Sequence, residues 1–289
     1  MKEAVASQIL LDFEAIALLA LLVGLLVYTA TRRLRTGFWG RPGAYISADL
    51  GLVMLPAAFF LTGPLFMVAV DGNGEIGPSS EASDASANQP ADTLDAIETA
   101  LTQLFYFAFI GLIIYFILVW LMRRSLVSLF GLDRLSFPLI VVWSVVGAML
   151  SLAICGWGFG ELSRWWLDPS LGSLDEQEPV EALRQSTSPL HLSLSAVMAC
   201  IAAPIVEEFL FRGYFYGVIK QYTGPIFAMI VIGALFAVVH GNLPALLPLW
   251  AFSIILTLTY EWTRCLWVPV GIHAVFNLTN IILLLGSGE

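Results

Sequence analysis

The sequence predicts an all-α polytopic membrane protein of about eight transmembrane helices. Three observations carry that expectation. The 289 residues are 58% hydrophobic and 12% charged, whereas soluble domains run near about 25% charged. Mean hydropathy is +0.85. Apolar runs of about 20 residues, the length that spans a bilayer, recur along the whole chain. Removing those runs leaves no soluble domain of useful size. The net charge of −9 argues against a nucleic-acid partner. Cys155, Cys200 and Cys265 lie in or beside apolar segments, match neither a metal spacing nor a disulfide framework, and read as small buried hydrophobes.

The spans fall at 15–30, 46–70, 101–122, 138–157, 192–216, 226–240, 245–260 and 267–285. The first is preceded by Asp12 and Glu14 and followed by Arg32, Arg33 and Arg35, a stop-transfer flank rather than the leader of a cleaved signal peptide. Pro56 and Pro64 predict a kinked or re-entrant second span. The fifth is long and holds Pro204, so a tilted, kinked helix is expected. Two acidic connections separate the N-terminal spans, 71–95 and 161–189. The first lacks hydrophobic periodicity and reads as a flexible loop. The second carries Trp165 and Trp166, suited to the membrane surface. With the N-terminus outside, ten of the thirteen Lys and Arg fall on inner connections, Arg212 counted among them. The positive-inside rule then puts both termini outside. An integral, multi-pass protein of the cell (inner) membrane is the expectation.

Within the fifth span the chain reads Ala203-Pro-Ile-Val-Glu207-Glu208-Phe-Leu-Phe-Arg212. An ionisable residue at the bilayer centre costs roughly 2.5–3.5 kcal/mol on insertion scales, so this group would oppose insertion by about 8–10 kcal/mol if unpaired. Charges at such a place need partners, water or a task. Two of the three histidines, His240 and His273, lie in later apolar segments. Thr223-Gly-Pro breaks the helix between Glu207 and His240. Each lies about 22 Å from that turn at 1.5 Å per residue, so an antiparallel pair brings them level. His273 and Asn277 share one face at i, i+4, roughly 14 and 20 Å beyond Arg264. Neighbouring glutamates diverge by about 100°. Glu208 and Arg212 therefore pair at i, i+4 while Glu207 points elsewhere.

Glu207-Glu208-x-x-x-Arg212, Phe236-x-x-x-His240 and His273-x-x-x-Asn277, in this order on successive helices, resemble the motifs of the type II CAAX prenyl protease family, also called the CPBP or Abi intramembrane proteases. The resemblance covers residues 188–289 and implies a protease core there, behind N-terminal transmembrane helices in 1–187. It implies a peptidase acting on a membrane-associated protein or peptide substrate, within the lipid bilayer. It does not fix the substrate. Peptide hydrolysis needs a base near the attacked carbonyl and a donor to the developing oxyanion. One arrangement makes Glu207 the general base on water, shared with His240, with Glu208 orienting Arg212 and with His273 and Asn277 donating to the oxyanion. A second makes Glu208, His240 and His273 ligands of a single Zn2+, with Glu207 as base. No His-Glu-x-x-His helix supports the metal, and both arrangements stay open. A proton-coupled transporter, in which membrane Glu and His relay protons, and a non-catalytic partner-binding scaffold are the competing classes. His191 reads as interfacial, Asp49 and Glu261 as snorkelling or capping residues, and Phe236 as packing around the site.

Overall fold

The computed structural model describes residues 89–121, 123–163, 188–240, 242 and 244–286, and all regular structure among them is helical. The spans expected at 15–30 and 46–70, Asp49 and the Trp165-Trp166 pair lie outside the described residues. Helix α1 (Gln89–Tyr115) runs on into a π-wound stretch, Phe116–Leu121. Short α2 (Leu126–Phe130) follows. Helix α3 (Phe137–Ser151) opens with a proline in its first turn and widens into the π register over Leu152–Gly160. The next rod is built from α4 (Pro189–Val197), π-wound Met198–Ala202, α5 (Ala203–Glu208), π-wound Phe209–Tyr216 and α6 (Gly217–Thr223). Helices α7 (Pro225–Val238), α8 (Leu246–Thr263) and α9 (Trp267–Gly286) complete the described chain.

Each of the six spans expected in this region is helical. Four stretches are long and apolar enough to cross a membrane: Ala100–Trp120, Phe137–Ser163, Pro189–Gln221 and Trp267–Gly286. Helix α7 is apolar all round but shorter; its second half is mostly buried, whereas Ile226 and Ile230 in its first half are exposed. Among the described residues, exposed large apolar side chains concentrate on α1 and on α3 with its π-wound continuation, where Phe105 is 74% and Trp157 83% exposed.

Three boundaries differ from expectation. The 71–95 connection ends by residue 88, because Gln89-Pro90 starts α1 and Leu94, Ile97 and Leu101 then recur at helical spacing. The 161–189 connection is shorter at both ends. Glu161–Ser163 continue the preceding helix, and Ser188 caps α4 by accepting from the His191 N–H. Arg212 is not a loop charge. It is fully buried in the fifth span, so it says nothing about which side is cytoplasmic.

Small residues let the helices approach. On α3 and α9, a Cβ added at Gly147 would collide with Ile272 Cδ1, and one at Gly271 would collide with Ser144 Oγ. Close backbone approach of this kind replaces the hydrophobic driving force that lipid does not supply. Ser144 and Ser151 return their hydroxyls to carbonyls on their own helix, at 2.7 and 2.8 Å. Gly131 ends α2 at φ 62°, and a Cβ there would overlap the Arg264 carbonyl oxygen. Only glycine satisfies both the left-handed backbone and that approach. The Leu266 N–H bonds the Phe130 carbonyl, and the Phe130, Phe209 and Trp267 rings pack edge-to-face beside it. Side chains from α1, α2 and α3 thus enter one buried cluster with those of the last four spans.

Glu261 ties together the end of the bundle at which α6 and α8 finish. It accepts from Tyr216 at 2.8 Å and from Lys220, and its carboxylate forms an ion pair with Arg264 at 3.2 Å. Burial pushes its carboxyl up, but the bonds from Lys220 and Tyr216 outweigh that and hold it below the usual range. A carboxyl lowered on folding adds stability above its unfolded value near about 4.3 and loses that stability as pH falls through the lowered value. Glu261→Gln is therefore expected to lower the melting temperature at neutral pH by an amount worth at most about 1 kcal/mol, since the group is partly solvated. The gap from wild type should close on acidification. Melting curves that stay equally separated at low pH would show that the ion cluster is not the cause.

Candidate active site

The fifth span delivers two carboxylates to opposite surroundings. Glu208 is fully buried, and so is Arg212 one turn later. The Arg212 guanidinium donates to Glu208 Oε1 at 2.9 Å. Its other terminal nitrogen donates to the Ser253 hydroxyl at 2.7 Å and to the Ser253 carbonyl at 3.2 Å. Its face lies 4.7 Å from the centre of the Phe236 ring. Thr257 donates to the same Ser253 carbonyl at 2.8 Å. The cation is held from two helices, as a buried charge requires. His273, on α9, places Nδ1 at 3.0 Å from Glu208 Oε1. A carboxylate only accepts, so Nδ1 carries the proton in that bond.

Glu207 faces the other way, toward His240. His240 does not lie in α7 as expected but in the turn just past it. Its Nδ1 lies 2.6 Å from the Phe236 carbonyl, one of those left free at the helix end. A carbonyl cannot donate, so Nδ1 carries the hydrogen and Nε2 of the neutral ring presents a lone pair. That Nε2 stands 4.0 Å from Glu207 Oε2. The two side chains, His240 and Glu207, are 24% and 16% exposed, against none for Glu208 and Arg212. The reachable members of the site are thus Glu207 and His240. Glu207 Oε2 and Glu208 Oε2 are buried atoms with no hydrogen-bond partner.

Phe236 sits among these groups, its ring centre 4.5 Å from that of His240 and 5.9 Å from that of His273. Phe252 packs edge-on to His273 at 5.3 Å. The aromatic walls lower the local polarity, which strengthens every charge interaction between them. Asn277 shares the α9 face of His273 but donates to the Ala199 carbonyl at 2.8 Å.

Glu208, His240 and His273 do not form a zinc-binding set as arranged. His240 faces Glu207, and the Glu208 oxygen nearest His273 is already shared with a guanidinium. Among the described residues no group of three or more His, Cys, Asp or Glu lies close enough to hold a metal ion.

Two site members were missed in the sequence. Ser253 is the first hydroxyl of an otherwise apolar stretch that continues to Thr257 and Thr259, a weak signal. The Ala199 carbonyl has no side-chain signature, and only Pro204 five residues on hints at it.

Fold and site together define a helical, multi-pass membrane protein with a carboxylate–histidine cluster buried between four helices. Residues 189–279 match the family described as Type II CAAX prenyl endopeptidase Rce1-like. The chain is also 25% identical over 148 residues to the protein of Bacillus subtilis (strain 168) named "Putative membrane peptidase YdiL". That alignment spans 51% of this chain and 58% of the relative, so less than two thirds of the relative's length is matched. Residues 189–279 are thus similar to the type II CAAX prenyl endopeptidase family that the three motifs resemble. No solved structure matches the chain.

Proposed function

We propose that this protein is a membrane-embedded endopeptidase that hydrolyses a peptide bond of a membrane-associated protein or peptide, with Glu207 as general base on water. The observation that carries this reading is the gap between Glu207 Oε2 and His240 Nε2. At 4.0 Å it is too wide for a direct bond. It is a width that one water spans with a bond of about 2.8 Å to each side. Both groups accept, so such a water gives a hydrogen to each and keeps its lone pairs for the substrate carbonyl. Glu207 takes the proton as the water oxygen bonds to the carbonyl carbon. The carbon–nitrogen bond then breaks, and the proton passes to the leaving amine.

His273, like His240, packs against the Phe236 ring, with centroids 5.9 and 4.5 Å away. As a donor to the oxyanion through Nε2 it would be protonated on both nitrogens, with Glu208 as its counter-ion. Glu208, Arg212 and Ser253 hold and orient His273, and take no part in bond making. Residues 188–289 hold all of these groups and are the proposed catalytic region.

The test is cleavage of a membrane-anchored peptide by detergent-purified protein, with and without a chelator. Cleavage that survives chelation is expected. Loss on chelation with recovery on adding zinc would replace this mechanism with a metal-assisted one. No cleavage of any membrane-anchored substrate would favour a transporter or a scaffold.

A further inference from the structure

The stretch Met198–Ala202 is π-wound, and the Ala203 N–H bonds the Met198 carbonyl five residues back. Continued by one residue, that register pairs the Ala199 carbonyl with residue 204. Residue 204 is proline, which has no N–H to give. The α-helical alternative, the Ala203 N–H, is already committed to Met198. The Ala199 carbonyl is thus left without a helical donor inside the membrane, where water does not supply one. The Asn277 side chain donates to it at 2.8 Å, from α9. One turn earlier on the same helix, His273 bonds Glu208 at 3.0 Å. Helix α9 therefore grips the fifth span at residues 199 and 208. Pro204 and Glu207 both lie between the two grips.

We propose that Asn277 is a positioning residue: by donating to the carbonyl that Pro204 leaves open, it fixes the π-wound, proline-bearing stretch that leads to Glu207 and so sets Glu207 against His240. The proposal rests on the peptidase reading for its catalytic consequence, but the bond itself does not. It gives Asn277 a role through the backbone beside the oxyanion donation expected from the sequence, for which the second N–H of the amide stays available, and the double-variant comparison separates the two. A proline-freed carbonyl is also a specific target, because restoring an N–H at position 204 makes the asparagine redundant.

The experiment uses wild type, Asn277→Ala, Pro204→Ala and the double variant, each measured for kcat, KM and melting temperature. Small displacements of a reacting group cost up to about 10²-fold in rate. Asn277→Ala is expected to lower kcat by about that factor with KM within a few-fold. In the Pro204→Ala background the same change should cost only a few-fold, because the new N–H serves Ala199. An equal loss of kcat in both backgrounds would overturn the proposal and put the amide on the reacting atoms. A rise in KM with kcat intact would overturn it too, in favour of a substrate contact. If Pro204→Ala is itself inactive, or wild type cleaves nothing, the melting temperatures decide. A loss on Asn277→Ala that shrinks in the Pro204→Ala background supports the bond, and an equal loss in both sinks it. Failure of wild type to cleave would remove the peptidase reading alone.

Discussion

Glu207→Gln is expected to reduce turnover by about 10²–10⁴-fold, the usual contribution of a general base, while the protein stays folded. Glutamine keeps the reach of glutamate but cannot take a proton. Glu207 Oε2 makes no hydrogen bond and the side chain is partly exposed, so the fold does not rest on a bond to that oxygen. Removing a charge from the membrane is, if anything, stabilising. The measurement is the cleavage rate beside the melting temperature in the same detergent. Cleavage at the wild-type rate would show that another group activates the water. A collapse of the melting temperature would make Glu207 a structural residue.

Arg212→Ala is expected to fail in the opposite way, with stability lost first and activity lost with it. Arg212 supplies the guanidinium bond to Glu208 Oε1 and two bonds to Ser253. Its removal leaves a fully buried carboxylate with His273 as its sole remaining partner in the site, and leaves the Ser253 hydroxyl without its donor. Breaking one member of a buried pair costs about 3–5 kcal/mol. Lower expression and a lower melting temperature are the readouts. Arg212→Ala combined with Glu208→Gln should recover part of the loss, because no lone charge then remains. Wild-type stability in Arg212→Ala would show that Glu208 is neutral in the fold and that the pair is not what holds His273.

The contrast between these variants follows from a division that adjacent residues in one helix make unavoidable. Glu207 and Glu208 look equivalent in sequence, and the turn of about 100° between them says only that they differ. Which of them is reachable depends on what packs on each side. Helices α8 and α9 close over Glu208 with Ser253 and His273, whereas the turn after α7 leaves Glu207 and His240 partly open.

Much was legible before any coordinates. Apolar runs fix the spans because lipid requires about 20 apolar residues per crossing. The i, i+4 spacing fixes the Glu208–Arg212 pair because it is a property of one helix alone. Proline at 204 announced the irregular fifth span, and the shared level of Glu207 and His240 followed from counting residues to the Gly224 turn. The sequence by itself determined that this is a helical membrane protein with a charged, histidine-bearing cluster at mid-span. Only the tertiary structure decided the partners: that His240 meets Glu207 while His273 meets Glu208, that Ser253 anchors the arginine, and that Asn277 serves a backbone carbonyl. The physical reason is that these bonds join residues tens of positions apart. Their geometry depends on the rotation and depth of each helix in the bundle, which small-residue contacts such as Gly147 with Ile272 and Gly271 with Ser144 set, and which no local periodicity records.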